Sequence, residues 1–168
     1  METELDSLRK EIREAFAWRP HPGDDRLAVR HSGPDGDEVQ RFFQGRDWRD
    51  VTRESLLGAS GLDPNGFMAY LTAEGFEYHL PAFLLLALDV GDAFGLADPL
   101  IYFLSPPAAD AVEPLQERFT HLLAALTARE KHVVARVLDY LAREYESRGF
   151  TPDSFRAALE GCWKRADS

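Results

Sequence analysis

The apolar run LPAFLLLAL at residues 80–88 constrains the fold more than any other feature of this chain. A membrane-spanning helix needs roughly 20 apolar residues, and this run has nine. The flanking segments EGFEYH and DVGD carry acidic residues that a lipid environment would exclude. A helix that is apolar on all sides is a buried core helix. The sequence therefore predicts a central helix at about 81–90, surrounded by amphipathic helices.

Pro81 interrupts this segment, because proline lacks a backbone N–H and clashes with the preceding helical turn. It also disfavours helical dihedrals at the residue before it. We expect either a new helix that begins at Pro81 or a kinked helix. Either arrangement leaves carbonyls near Glu77, Tyr78 and His79 without helical partners, and side chains, water or a ligand must then satisfy them. The break is a candidate binding site, and it is also a candidate structural corner.

Amphipathic periodicity predicts helices on both sides of this segment. Residues 3–17 place apolar side chains on one stripe, with Thr3 as a possible cap. Residues 115–126 form a second amphipathic pattern, and the motif from Thr127 to Glu130 matches a capping box that begins a third helix. These signals predict a mainly α fold, a compact multi-helix bundle of six or seven helices around the central helix.

Other segments are less regular, and the sequence predicts one domain over 1–168 that contains a polar loop at 18–37. Three prolines and three glycines in that loop exclude a long helix, although a short edge strand or hairpin is possible. A short helix is expected at 38–45. The run LIYFL at 100–104 fits either a strand or a buried turn. Thr151 and Pro152 are expected to begin the last helix as N-cap and first helical residue.

The net charge of −10 bears on the partners of the protein. It argues against non-specific nucleic-acid binding, which depends on Lys and Arg neutralising phosphates, and against docking on anionic lipid. It is compatible with a basic protein partner. With Cys162 as the only cysteine and no apolar leader at the N-terminus, we expect a cytoplasmic protein. The sequence does not indicate an oligomeric state.

The chain contains none of the common catalytic, metal-binding or phosphate-binding motifs. No two histidines share an H-x₃-H spacing, and no glycine-rich phosphate loop or G-x-S-x-G element is present. Cys162 lies on the apolar stripe of the last helix, where a core role is expected. The sequence therefore predicts a non-catalytic protein without a metal or another cofactor.

Three stretches carry a resemblance to a known family: FFQGRDWRDV at 42–51, LTAEGFEYHLPAFLLLAL at 71–88 and THLLAALTAREKHVVARVLDYL at 120–141. They resemble a family of uncharacterised bacterial proteins with F-x-G-x-x-W and Y-x-L-P-A-F-L elements, over about 40–165. The resemblance implies no activity and no catalytic residues. His79 departs from the pattern, in which a second aromatic residue follows the tyrosine. The matching positions are Phe43, Gly45, Trp48, Phe76, Tyr78, Pro81, Ala82, Phe83, Lys131, Tyr140 and Leu141.

Three functions remain open at this point. The first is a protein-binding module with an acidic face; small acidic proteins of this kind resemble immunity proteins that neutralise basic toxins. The second is a small-molecule or peptide binder with a pocket at the Pro81 break. The third is a hydrolase that uses Glu77 and His79. The candidate binding residues are Trp48, Glu77, Tyr78, His79 and Pro81.

Overall fold

A computed structural model describes residues 2–59, 62–89 and 95–164. Their regular structure is helical, and the buried apolar side chains form one continuous core cluster. This confirms the predicted mainly α bundle. In the described residues the α-helices are α1 (Glu4–Ala15), α2 (Gly33–Phe43), α3 (Arg53–Gly58), α4 (Pro64–Ala69), α5 (Ala73–Ala87), α6 (Ala97–Leu104), α7 (Glu113–Ala125), α8 (Ala128–Ser147) and α9 (Asp153–Ala158).

The central helix is α5, and it differs from the predicted one in its bounds. The predicted segment, 81–90, covers only the second half of α5, and residue 90 lies outside the described residues. Pro81 lies inside a continuous helix instead of beginning a new one. Ten of the fifteen residues of α5 are buried, because neighbouring helices pack around it. No helix of the described segments is long and apolar enough to cross a membrane.

The start of α5 is fitted closely against the chain at Leu27. The Thr72 N–H donates to the Leu27 carbonyl at 2.9 Å, and the Thr72 hydroxyl accepts from the Gly75 N–H at 2.9 Å. A side chain at Gly75 would collide with the Leu27 carbonyl. A glycine is therefore required here because two backbone segments approach each other closely.

The loop predicted at 18–37 is shorter than expected, because α2 begins at Gly33 and not at residue 38. Pro34 belongs to the first turn of α2, where its missing N–H costs no helical hydrogen bond. The possible edge strand or hairpin is reduced to one isolated antiparallel bridge between Ala28 and Leu71; the described residues contain no strand.

The predicted strand or buried turn at 100–104 forms the last five of the eight residues of helix α6. The last helix also differs from the prediction, because Pro152 and not Thr151 occupies its N-cap position. A π-helical turn at 159–163 follows α9 and buries Trp163. The Trp163 indole N–H donates to the Leu104 carbonyl at 2.7 Å, so this turn is joined to the end of α6.

Helices α1 and α8 pack antiparallel, as their ion pairs show. Three glutamates along α1 contact three arginines of α8 in reverse chain order. Such partly exposed pairs contribute little stability each, so the buried apolar stripe of α1 supplies most of the packing energy. The pairs are Glu4–Arg143, Glu11–Arg136 and Glu14–Arg129.

Candidate functional site

Four of the five predicted binding residues lie on α5, and three of these four are buried in the core. His79 has no exposed surface and Tyr78 is 4% exposed, and Pro81 is also buried. A ligand could reach these three side chains only by displacing core residues. Their predicted role in binding remains a prediction.

The His79 ring lies between two backbone carbonyls. Its Nδ1 lies 3.0 Å from the Gly75 carbonyl and its Nε2 lies 3.4 Å from the Arg46 carbonyl. A neutral imidazole has one N–H, and the shorter contact indicates that Nδ1 carries the proton. Burial lowers the pKa of His79 to about 4, against the weaker opposing effect of the two carbonyls. The side chain is therefore neutral at pH 7, and its Nδ1–H donates to the Gly75 carbonyl one turn earlier in α5.

Tyr78 contacts the turn that follows α2. Its hydroxyl donates to the Asp47 carboxylate at 3.2 Å. Burial, followed by the charge of Asp47, raises the pKa of Tyr78, so the phenol stays protonated at neutral pH. The His21 ring packs edge-on against the Tyr78 ring, with centroids 5.0 Å apart. These contacts are those of a side chain that joins three segments of the core.

Glu77 belongs to a buried ionic network. One of its carboxylate oxygens contacts the Arg19 guanidinium, and the other lies 2.8 Å from Nε2 of His121 on α7. His79 faces the carbonyls of Gly75 and Arg46 instead. The hypothetical hydrolase pair Glu77 and His79 therefore does not converge on a common point.

The same network contains the capping box of α8. Arg19 donates from Nε and Nη2 to the two carboxylate oxygens of Glu130, at 2.6 and 2.7 Å. Glu130 also accepts from the Thr127 N–H at 2.7 Å, which confirms the predicted capping box. Arg19 donates further to the Ala125 carbonyl at the end of α7. One guanidinium thus connects α5, α7 and α8 beneath the surface.

Trp48, the fifth predicted residue, lines a groove on another part of the molecule. The groove has a volume of about 410 Å³, within the usual range for small-ligand sites. We call it the arginine groove, because four arginines from three segments lie around it with only two carboxylates. Its lining residues are Arg9, Arg13, Trp48, Arg49, Val51, Thr52, Arg53, Glu54, Leu85, Leu86 and Asp89.

The groove arginines differ in how firmly they are held. The Arg49 guanidinium stacks over the Trp48 ring at 4.4 Å and donates to the Ala17 carbonyl and to Asp47. Arg9 contacts the Asp89 carboxylate at 2.6 Å. Arg13 forms no ion pair with a described side chain. The groove therefore combines one positioned guanidinium, that of Arg49, with that of Arg13, which can turn towards a ligand.

The Trp48 indole is 1% exposed, and its Nε1 has no hydrogen-bond acceptor among the described groups. A buried polar hydrogen without an acceptor is uncommon, because its desolvation is not compensated. Guanidinium groups recognise carboxylates and phosphates through paired N–H donors. The groove arginines can therefore hold an oxyanion, with Leu85 and Leu86 offering apolar contact beside it.

No group of three or more His, Cys, Asp or Glu side chains within the described ranges could hold a metal ion.

The sequence pattern predicted Trp48 as a binding residue but did not predict the groove arginines. The spacing of Arg9 and Arg13, one helical turn apart on α1, was the available signal.

Comparison with known protein families identifies the family of this chain. The model of a family of unknown function (DUF6714) matches residues 4–166, which is almost the whole of the 168-residue sequence. No match was found among curated proteins or among solved structures. The chain belongs to this family of unknown function.

Proposed function

We propose that this protein is a non-catalytic binding protein that holds an anionic small molecule or peptide group in the arginine groove. The observation that carries the proposal is the convergence of four arginines around Trp48 in a chain whose net charge is −10. An acidic protein gains nothing in solubility from a local excess of positive charge. A ligand with a complementary charge is a direct reason for that excess.

The composition of the groove indicates the ligand class. Its arginines favour a carboxylate or a phosphate, and its apolar wall at Val51, Leu85 and Leu86 favours a ligand with an apolar part next to the anion. The Arg9–Asp89 pair is partly exposed, and such pairs are worth about 0–1 kcal/mol. Redirecting Arg9 to a ligand would therefore cost little.

The test uses the purified chain and a panel of phosphates and carboxylates, each paired with a neutral analogue. A ligand that binds the folded state raises the melting temperature by mass action. We expect an anion to do so, and we expect the variant Arg13→Gln/Arg49→Gln to lose roughly 10-fold or more in affinity, about 1.4 kcal/mol. The control Arg156→Gln removes an exposed arginine of α9.

Two results would refute the proposal. In the first, no member of the panel raises the melting temperature more than its neutral analogue. In the second, the Arg156→Gln control loses as much affinity as the groove variant. That result would show a general charge effect and not a site.

A second candidate function is a protein-binding module, such as an immunity protein that neutralises a basic toxin. Its support is the net charge of −10 and the exposed Asp35 and Asp37 on α2, which form no ion pair with a described residue. Opposite charges on two partners speed their association and make it sensitive to salt.

This candidate predicts a stoichiometric basic partner that co-purifies at low salt and dissociates at high salt. The variant Asp35→Asn/Asp37→Asn should weaken the complex, whereas the groove variant Arg13→Gln/Arg49→Gln should not. Loss of the complex in the groove variant alone would assign the partner to the groove. A protein that remains alone at low salt contradicts the second candidate.

A further inference from the structure

A small apolar pocket lies between α6, the bend that follows it and α7, apart from the arginine groove. Its volume is about 200 Å³. Aromatic, proline and leucine side chains form most of its wall, including Tyr102, Phe103, Pro106 and Leu115. Arg118 is the one charged residue in that wall, and no carboxylate lines the pocket.

Arg118 has an unusual environment for a charged side chain. Its guanidinium carbon lies 4.7 Å from the ring centroids of both Phe76 and Phe103. Its Nη2 donates to the Met68 carbonyl, but no described carboxylate forms an ion pair with it. A largely buried cation without an anionic partner is rare, because desolvation of the charge is not compensated.

Two N–H donor groups of Arg118 have no hydrogen-bond acceptor among the described groups. Its Nε is buried and has no acceptor among the described groups. Its Nη1 also has no acceptor in the described structure, but it is not sealed from solvent as Nε is. Burial lowers the pKa of Arg118 to about 10, so the guanidinium is still charged at neutral pH. The pocket therefore offers one cation with free hydrogen-bonding capacity next to an apolar wall.

We propose that the pocket beside Arg118 binds a small monocarboxylic acid, with the carboxylate on the guanidinium and the apolar part against the aromatic and proline wall. One cation matches one negative charge, and a phosphate dianion would bring a second charge that no described pocket residue neutralises. The volume lies below the range of drug-sized sites, so the ligand is a short aliphatic or aromatic acid.

Benzoate and hexanoate, with benzamide and hexanamide as neutral counterparts, are suitable probes. We expect the acids to bind the full chain in calorimetry with dissociation constants below about 1 mM, the affinity of a weak small-ligand complex. The amides should bind at least 10-fold more weakly, because they leave the guanidinium unpaired. In NMR spectra the acids should shift the methyl signals of Leu115 and the ring signals of Tyr102.

Two variants separate binding from a purely structural role of Arg118. Arg118→Gln removes the cation, but it can also destabilise the contact with Met68. Ala111→Leu keeps Arg118 and fills part of the pocket from its wall. The arginine groove can itself hold a carboxylate, so both variants are made in the Arg13→Gln/Arg49→Gln background, where each should abolish acid binding. Arg13→Gln/Arg49→Gln alone should still bind the acids beside Arg118.

Acid binding that survives when Ala111→Leu is added to Arg13→Gln/Arg49→Gln, equal binding of acids and amides in that background, or no binding of either acid would each overturn the proposal. The last of these results would leave Arg118 as a structural bridge between the end of α4 and α7. The groove variant makes this test independent of the function proposed above.

Discussion

Replacing His79 by phenylalanine should remove a large part of the pH dependence of folding. His79 is buried and neutral, and burial lowers its pKa to about 4 from an ordinary value of 6.5. In the unfolded chain the same imidazole is exposed and takes up a proton below pH 6.5. The unfolded state then binds more protons than the folded state, so stability falls as the pH falls.

The magnitude follows from the two pKa values. The stability that the protein gains by keeping His79 neutral is fully present above pH 6.5 and is lost as the pH falls towards 4. The difference between the folded and unfolded pKa values of His79 corresponds to about 3 kcal/mol in the free energy of unfolding. About 2 kcal/mol of this is lost between pH 7 and pH 5. Global stabilities are about 5–15 kcal/mol, so the loss is readily measured.

The assay is urea unfolding at several pH values between 7 and 5, a range chosen because carboxylates titrate mainly below it. The wild-type chain should lose about 2 kcal/mol more than His79→Phe over this interval. At pH 7 the variant should be less stable by about 1 kcal/mol, because the hydrogen bond to Gly75 is lost. His31→Asn is a matched control: His31 is exposed, and asparagine tolerates its positive φ of 59°.

The reasoning is refuted if wild type and His79→Phe show the same slope of stability against pH between 7 and 5. An equal loss of slope in His31→Asn would also refute it, because the effect would then not come from the buried imidazole.

Two further predictions concern backbone packing and the buried network. Gly75→Ala should destabilise the protein by more than about 3 kcal/mol, because the added Cβ would collide with the Leu27 carbonyl. In the control Gly58→Ala in α3, the added Cβ meets no atom, so this variant should be more stable than the wild-type chain by about 0.5–1 kcal/mol. Thermal unfolding of both variants checks this, and similar melting temperatures for the two would contradict it. Arg19→Met should lower the free energy of unfolding by about 3–5 kcal/mol, because it leaves the fully buried Glu130 without its cation. The double variant Arg19→Met/Glu130→Gln should lose clearly less stability than the two single variants together, and additive losses in this double-mutant cycle would contradict the pairing.

Capping residues and hydrophobic periodicity in the local sequence were sufficient to predict that helices form and where several of them begin. Thr3 and the Thr127–Glu130 capping box lie where the sequence predicts them, because a cap is formed by residues three positions apart. Helix bounds near proline were harder to predict. Pro81 is accommodated within α5, and Pro34 belongs to the first turn of a helix that was expected to begin later.

The segment 100–104 shows a different limit. A short apolar run fits a strand, a turn or a helix equally well, because its periodicity covers too few residues. It becomes helical as part of α6, whose buried side chains pack against α4, α5 and α9. The choice between these structures came from tertiary packing.

The candidate sites depended on tertiary structure most of all. The sequence alone established that the chain is acidic, mainly helical and built around the apolar segment near Pro81. Packing of the helices was needed to bring Arg19 to Glu130, 111 residues apart, and to place Trp48 beside the arginines of α1 and α3. The reason is physical: helix caps and amphipathic stripes arise from neighbours along the chain, whereas a binding site arises from side chains that are distant in sequence and meet only when the helices pack.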